Sequence, residues 1–90
     1  MAKEWRVFAH PHYLISFRSV VIDPDERFLV TTQLRQYLKT IDDPSRSFTH
    51  IPGELEQYEF SVMRYAIIVQ WKKEYPNDIR LLEIYPAIEE

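Results

Sequence analysis

The apolar positions of this chain fall into short runs, and their spacing predicts one element after another. Trp5-Arg6-Val7-Phe8-Ala9-His10 is rich in strand formers, and Pro11 interrupts any ladder by removing a backbone donor. From Tyr13 to Ile22, the side chains of Ile15, Phe17 and Ser19 alternate with those of Ser16, Arg18 and Val20, the period of a half-buried strand. Asp23-Pro24-Asp25-Glu26 has turn chemistry, because Pro24 presets its φ and Asp23 can accept a local backbone hydrogen bond. The pattern therefore predicts a hairpin into Arg27-Phe28-Leu29-Val30. Thr31 or Thr32 then supplies an N-cap for a short helix through Ile41, with Leu34, Tyr37, Leu38 and Ile41 sharing one face.

Asp42 to Gly53 holds Asp-Asp-Pro, two serines and Ile-Pro-Gly without sustained periodicity, which reads as a long loop pinned to the core by Phe48. Between Glu54 and Tyr75, Leu55, Tyr58, Val62, Tyr65, Ala66 and Val69 follow helical spacing, and Lys72-Lys73 complement the dipole of a C-terminus. A long helix is the preferred reading there. A strand from Tyr65 to Trp71 competes with it, since Tyr65, Ile67, Val69 and Trp71 also alternate. Tyr75-Pro76-Asn77-Asp78 stops that element, and Ile79 to Tyr85 forms a last strand ended by Pro86. The sum is one α+β domain over residues 1–90. It has a mainly antiparallel sheet of about four strands and two helices on one face, in the order β-β-β-α-α-β.

Composition narrows the function classes. Thirteen aromatic residues stand beside one glycine and no cysteine in 90 positions, so cohesion must come from apolar packing rather than disulfides. Gly53 alone can write neither a P-loop nor a dinucleotide fingerprint, and a cysteine nucleophile is excluded. A net charge of -3 provides no general field for phosphates, so nucleic acid is disfavoured as a partner. DNA binding by a dimer would need Arg35, Lys39 and Arg46 on one exposed face. No stretch resembles a signal peptide or reaches the roughly 20 apolar residues of a membrane span, which points to a soluble protein in the cytoplasm with no membrane partner.

Candidate chemistry is sparse. His10 and His12, two apart on an extended segment, can project to one side toward a metal, but His50 or an acid such as Asp23 or Asp25 would have to complete the site. The clustered acids at Asp23 to Glu26 and at Asp42-Asp43 read as solvated turns. His50 could serve as a general acid or base if Arg46, Arg64 or a tyrosine held an anion nearby. Arg64 is the one charge between Ser61 and Val69, so it needs a partner such as Glu59 or Glu83, or it faces water. Trp5, Tyr13, Trp71 and Tyr85 lie at the ends of predicted elements, where aromatics serve interfaces.

The reading these observations favour is a small regulatory or accessory protein that binds another protein or a second copy of itself, as a homodimer, without catalysis and without a cofactor. Its candidate contact residues are Trp5, Tyr13, His50, Arg64, Trp71 and Tyr85. The alternative is a small hydrolase or nuclease that uses His50 or the His10/His12 pair.

Overall fold

Each helix of this protein begins with the same device, an oxygen or nitrogen side chain followed by proline. The structure is a computed structural model that describes residues 4–87. Strand β1 (Arg6–Ala9) ends at His10, whose Nδ1 accepts the His12 amide at 3.0 Å and so caps helix α1 (Pro11–Val20). Asp23 Oδ1 accepts the Asp25 amide at 2.9 Å to cap α2 (Pro24–Leu38), and Asp43 Oδ1 accepts that of Ser45 at 3.0 Å to cap the single turn α3 (Pro44–Ser47). Proline suits the first helical position because it has no amide hydrogen to leave unsatisfied and its φ is already helical. The remaining elements are strands: β2 (Thr49–His50), β3 (Gln57–Val62), β4 (Tyr65–Gln70) and β5 (Asp78–Pro86).

The five strands form one sheet in the order β1-β5-β4-β3-β2, parallel between β1 and β5 and antiparallel elsewhere. Register sets the core. Phe60 pairs with Ile67 and Ile67 with Ile84, while Tyr58 pairs with Val69 and Val69 with Leu81, so two apolar rows cross three strands on the same face. All six side chains are buried. A bulge between Ile68 and Val69 leaves Leu82 unmatched on β5 and keeps Leu81 and Ile84 both inward. Helix α1 lies against β5 and α2 against β3. Tyr13 from α1 and Val30, Leu34 and Leu38 from α2 close the face. The fold is thus α+β, a mainly antiparallel sheet with its helices on one side.

Several sequence expectations change. Tyr13 to Ile22 is mostly helix, not strand: Pro11 opens α1, and the helical period puts Tyr13, Ser16, Phe17 and Val20 inward and Leu14, Ile15, Arg18 and Ser19 outward. Asp23 to Glu26 is no hairpin turn, because Asp23 spends its carboxylate on the cap of α2, which absorbs Arg27 to Val30 and makes Thr31 and Thr32 interior helical residues. The loop from Asp42 to Gly53 contains α3 and β2, and Phe48 does pin it, stacked on Phe60 with ring centroids 4.4 Å apart. The long helix from Glu54 to Tyr75 is replaced by the β3–β4 hairpin, with the competing strand at Tyr65 close to β4. Strand formation there costs less than helix formation because Ile67, Ile68 and Val69 are β-branched. The element order becomes β-α-α-α-β-β-β-β.

The turn of that hairpin is tight. Val62 pairs with Tyr65, leaving only Met63 and Arg64 between them, and Met63 takes a φ of 57°. A side chain in that left-handed region costs about 1–2 kcal/mol, against roughly 0.5–1 kcal/mol of extra chain entropy lost by a glycine on folding. Met63→Gly is therefore expected to stabilise the fold by roughly 0.5–1 kcal/mol in urea unfolding, and a loss of stability would contradict the strain.

Candidate functional site

With the inner stripes of α1 and α2 spent on the sheet, their outer sides should be polar. They are not. Leu14 and Ile15 of α1, Ile22 in the connection, and Phe28 and Leu29 of α2 all lie exposed, Ile22 to 76% and Phe28 to 71%. Arg27 holds this surface in shape. Its guanidinium donates to the carbonyls of Val21 and, at 3.0 Å, Arg18, satisfying the C-terminal end of α1 and coupling it to the first turn of α2. Sequence reasoning missed these five residues because a strand over 13–22 and a hairpin after it would have buried about half of them. The helical period, started from Pro11 and Pro24, would have turned them outward.

A second feature joins α2 to the hairpin tip. Arg64 points to water, and its partner is Glu26, at 2.9 and 3.1 Å in a forked contact, rather than Glu59 or Glu83. The buried Tyr65 donates its hydroxyl to the same carboxylate and accepts from Arg64 Nε at 3.3 Å. One carboxylate thus satisfies a guanidinium and a buried phenol.

On the face of the sheet away from the helices, the Tyr85 hydroxyl donates to Glu59, two strands away. Ala66, paired with Tyr85 on β4 between them, is buried although no helix covers it, which places the tyrosine across it. The hydrogen bond to Glu59 favours the neutral phenol and pushes Tyr85 up to about 12.

The remaining sequence candidates divide by burial. Tyr13 is a core residue, stacked on Phe17 with centroids 5.8 Å apart, and burial pushes its phenol up to about 12. Trp71 is also buried, its indole donating to the Pro76 carbonyl at 3.2 Å, and Trp5 packs partly buried against the core. Tyr13 and Trp71 are thus buried and Trp5 half-buried. His10 and His12 sit at the β1 edge, where His12 Nε2 lies 3.7 Å from Glu83, whereas His50 is on β2 at the opposite edge. His50 Nε2 is 3.2 Å from the Leu55 carbonyl, and its ring meets Tyr58 edge-on. The topology therefore keeps His50 from completing any site with His10 and His12. Among the described residues, no three His, Cys, Asp or Glu side chains converge to hold a metal ion, and no helix is long and apolar enough to cross a membrane. A cleft of about 250 Å³ beside His50's neighbour Tyr58 is lined by Leu55, Glu56, Trp71, Lys73 and Glu74, two acids to one base.

Two outcomes test these contacts. Glu26→Ala leaves the Tyr65 hydroxyl buried without its acceptor, and the expected loss in urea unfolding is about 1–3 kcal/mol; a value near zero would show that Arg64 and Glu26 form only a surface pair. For Tyr85, the folded-state pKa is raised above its ordinary 10.0, so the contribution of its bond to Glu59 is complete below pH 10.0 and disappears as pH climbs toward 12. Difference ultraviolet titration of the wild type against Tyr85→Phe should isolate a phenol ionising near 12, and Glu59→Ala should return it toward 10.0.

No model of a known protein family matches the chain, and no curated protein matches it either. Solved structures do. A chain of the RelBE2 toxin-antitoxin complex from Mycobacterium tuberculosis superposes with a TM-score of 0.72 at 12% identity, covering 92% of this chain and 98% of its own. A chain of the archaeal RelE-RelB complex from Pyrococcus horikoshii gives 0.63 at 19% identity, covering 96% and 98%. At such identities the likeness is one of fold, and the chain has an α+β fold similar to that of RelE toxins.

Proposed function

We propose that this chain is a small binding protein that works as one member of a two-protein complex, in the manner of a toxin-antitoxin pair, and that the outer side of α1 and α2 is its principal contact surface. The observation that supports this reading is the group of five exposed apolar side chains Leu14, Ile15, Ile22, Phe28 and Leu29. Scattered exposed apolar residues are ordinary, but a group carried on two consecutive helices and their connection is the kind of patch that marks a contact with another protein. Both fold neighbours named above come from protein complexes, which agrees with it. A large exposed phenylalanine flanked by aliphatic residues is the usual anchor of such a surface. Regulation follows naturally: a protein held in a pair is released when its partner is lost. Self-association through the same patch would make a homodimer instead.

The experiment is affinity isolation of the tagged chain from its own cells beside the double variant Ile15→Asp/Phe28→Asp. Both residues are exposed, so circular dichroism should show the variant folded. The wild type is expected to retain one protein at constant stoichiometry, and the variant to lose at least roughly thirtyfold in affinity for that protein once purified, as for removal of an anchor worth about 2 kcal/mol. Wild-type chain that stays alone and monomeric at every concentration in native mass spectrometry would overturn the proposal, and a dimer that survives dilution would assign the patch to a second copy.

A further inference from the structure

We infer that the outer edge of β1 is a second docking element, which takes an extended, acidic segment of a partner protein as a sixth strand of the sheet. This rests on the reading of the chain as a protein-binding module and adds to it a site on a different side of the molecule.

The backbone supplies the first argument. Arg6 donates its amide to the Asn77 carbonyl at 2.8 Å and His10 donates to Leu81 at 2.9 Å, so the even-numbered residues of β1 face β5. By the alternation of a strand, the amides and carbonyls of Val7 and Ala9 face away from the sheet. All four residues of β1 are exposed, including Val7 and Phe8 at 43% and 47%. Edge strands are commonly protected by an inward charge, a proline or extreme shortness. The opposite edge has such protection, since β2 is only two residues long against the four of β1. Strand β1 has no proline inside it, and its one charge, Arg6, is turned back onto Asp78 at 2.7 and 3.1 Å.

The second argument fixes the chemistry of the occupant. Beside β1, on the face without helices, lies a cleft of about 120 Å³ lined by Phe8, Gln70, Lys72, Tyr75, Asp78 and Arg80. Its carboxylate, Asp78, is already engaged by Arg6, and Lys72 reaches Glu56 only at 4.0 Å. Arg80, opposite Phe8 in the ladder, makes no ion pair among the described residues. A strand added along β1 would lay every second side chain over Phe8 and toward Arg80 and Lys72, where carboxylates are favoured, and the intervening ones beside Val7, where apolar groups are favoured. A second copy fits poorly: its β1 reads Arg-Val-Phe-Ala, with no acid, and would bring a guanidinium toward Arg80.

The test pans a phage library of short random peptides on the full chain. Recovered peptides are expected to alternate acidic and apolar residues, to slow exchange of the Val7 and Ala9 amides in the wild type, and to bind Val7→Pro about tenfold more weakly. That substitution deletes an outward amide and leaves the bonds of Arg6 and His10 to β5. Arg80→Glu, a surface change that does not touch the backbone, should weaken the same peptides and provides the reading if Val7→Pro fails to fold. Peptides that bind without altering the Val7 and Ala9 amides would overturn the edge site while leaving the protein-binding reading intact. Basic peptides, or self-association abolished by Val7→Pro, would overturn the acidic occupant. A library that yields no binder overturns the edge site, and the Ile15→Asp/Phe28→Asp comparison then decides the wider proposal independently.

Discussion

Phe60, Ile67 and Ile84 stand in line across three adjacent strands, and the helices lie where they do because that line and its neighbour Tyr58, Val69 and Leu81 must be kept from water. A two-layer domain of this size has one interior, so every apolar side chain either reaches those rows or stays outside. Tyr13, Val30, Leu34 and Leu38 reach them from one helical stripe each. Tyr37, Phe48 and Phe60 extend the interior to the end of the sheet near β2, their rings 4.4 to 6.0 Å apart, and so anchor the segment that carries α3. The aromatic content is thereby largely explained by packing, and the apolar residues left outside become the informative ones.

How much of this could be read from the sequence depended on whether a local signal had a competitor. The first and last strands were legible, since Val7-Phe8 and Ile79 to Tyr85 are bounded by proline and turn residues and match no helical period. The start of α1 was visible too, as His10-Pro11, but a proline after a strand also reads as a ladder breaker, and the alternation from Ile15 to Ser19 supported the wrong choice. Asp23-Pro24 had the same double meaning, because a carboxylate that closes a turn can equally cap a helix. The hairpin at Met63-Arg64 had no signal at all: two-residue turns advertise themselves by glycine or asparagine, and here a methionine holds the positive φ. Without a visible turn, the apolar residues on either side merged into one apparent helix.

The candidate surfaces were less legible than the fold, for a physical reason. An interaction residue is recognised by being apolar and exposed, and exposure depends on assigning the right period: a half-buried strand turns one of the neighbours Phe28 and Leu29 inward, whereas α2 exposes both. Arg64 was identified correctly as a charge in search of a partner, yet its partner, Glu26, lies 38 residues away on an element assigned to a turn. Tyr85 was chosen for its position at a strand end, and its contact with Glu59 across the intervening strand depends on register that only the assembled sheet defines.

The parallel pairing of β1 with β5 joins residues at the two ends of the described chain, as in the contact of Arg6 with Asp78 across a separation of 72 residues. The β3–β4–β5 meander, by contrast, closes through neighbouring turns. Ring closure over so long a separation is the entropically dearest step in assembling this sheet, so the meander with its helical cover has reason to form first and β1 to dock onto it afterward. The same topology lets β1 be released from the sheet without dismantling the interior, since none of its four residues is buried. The β1 edge is therefore also a natural place for the native state to open locally, and whatever occupies it would govern how often that side of the sheet breathes.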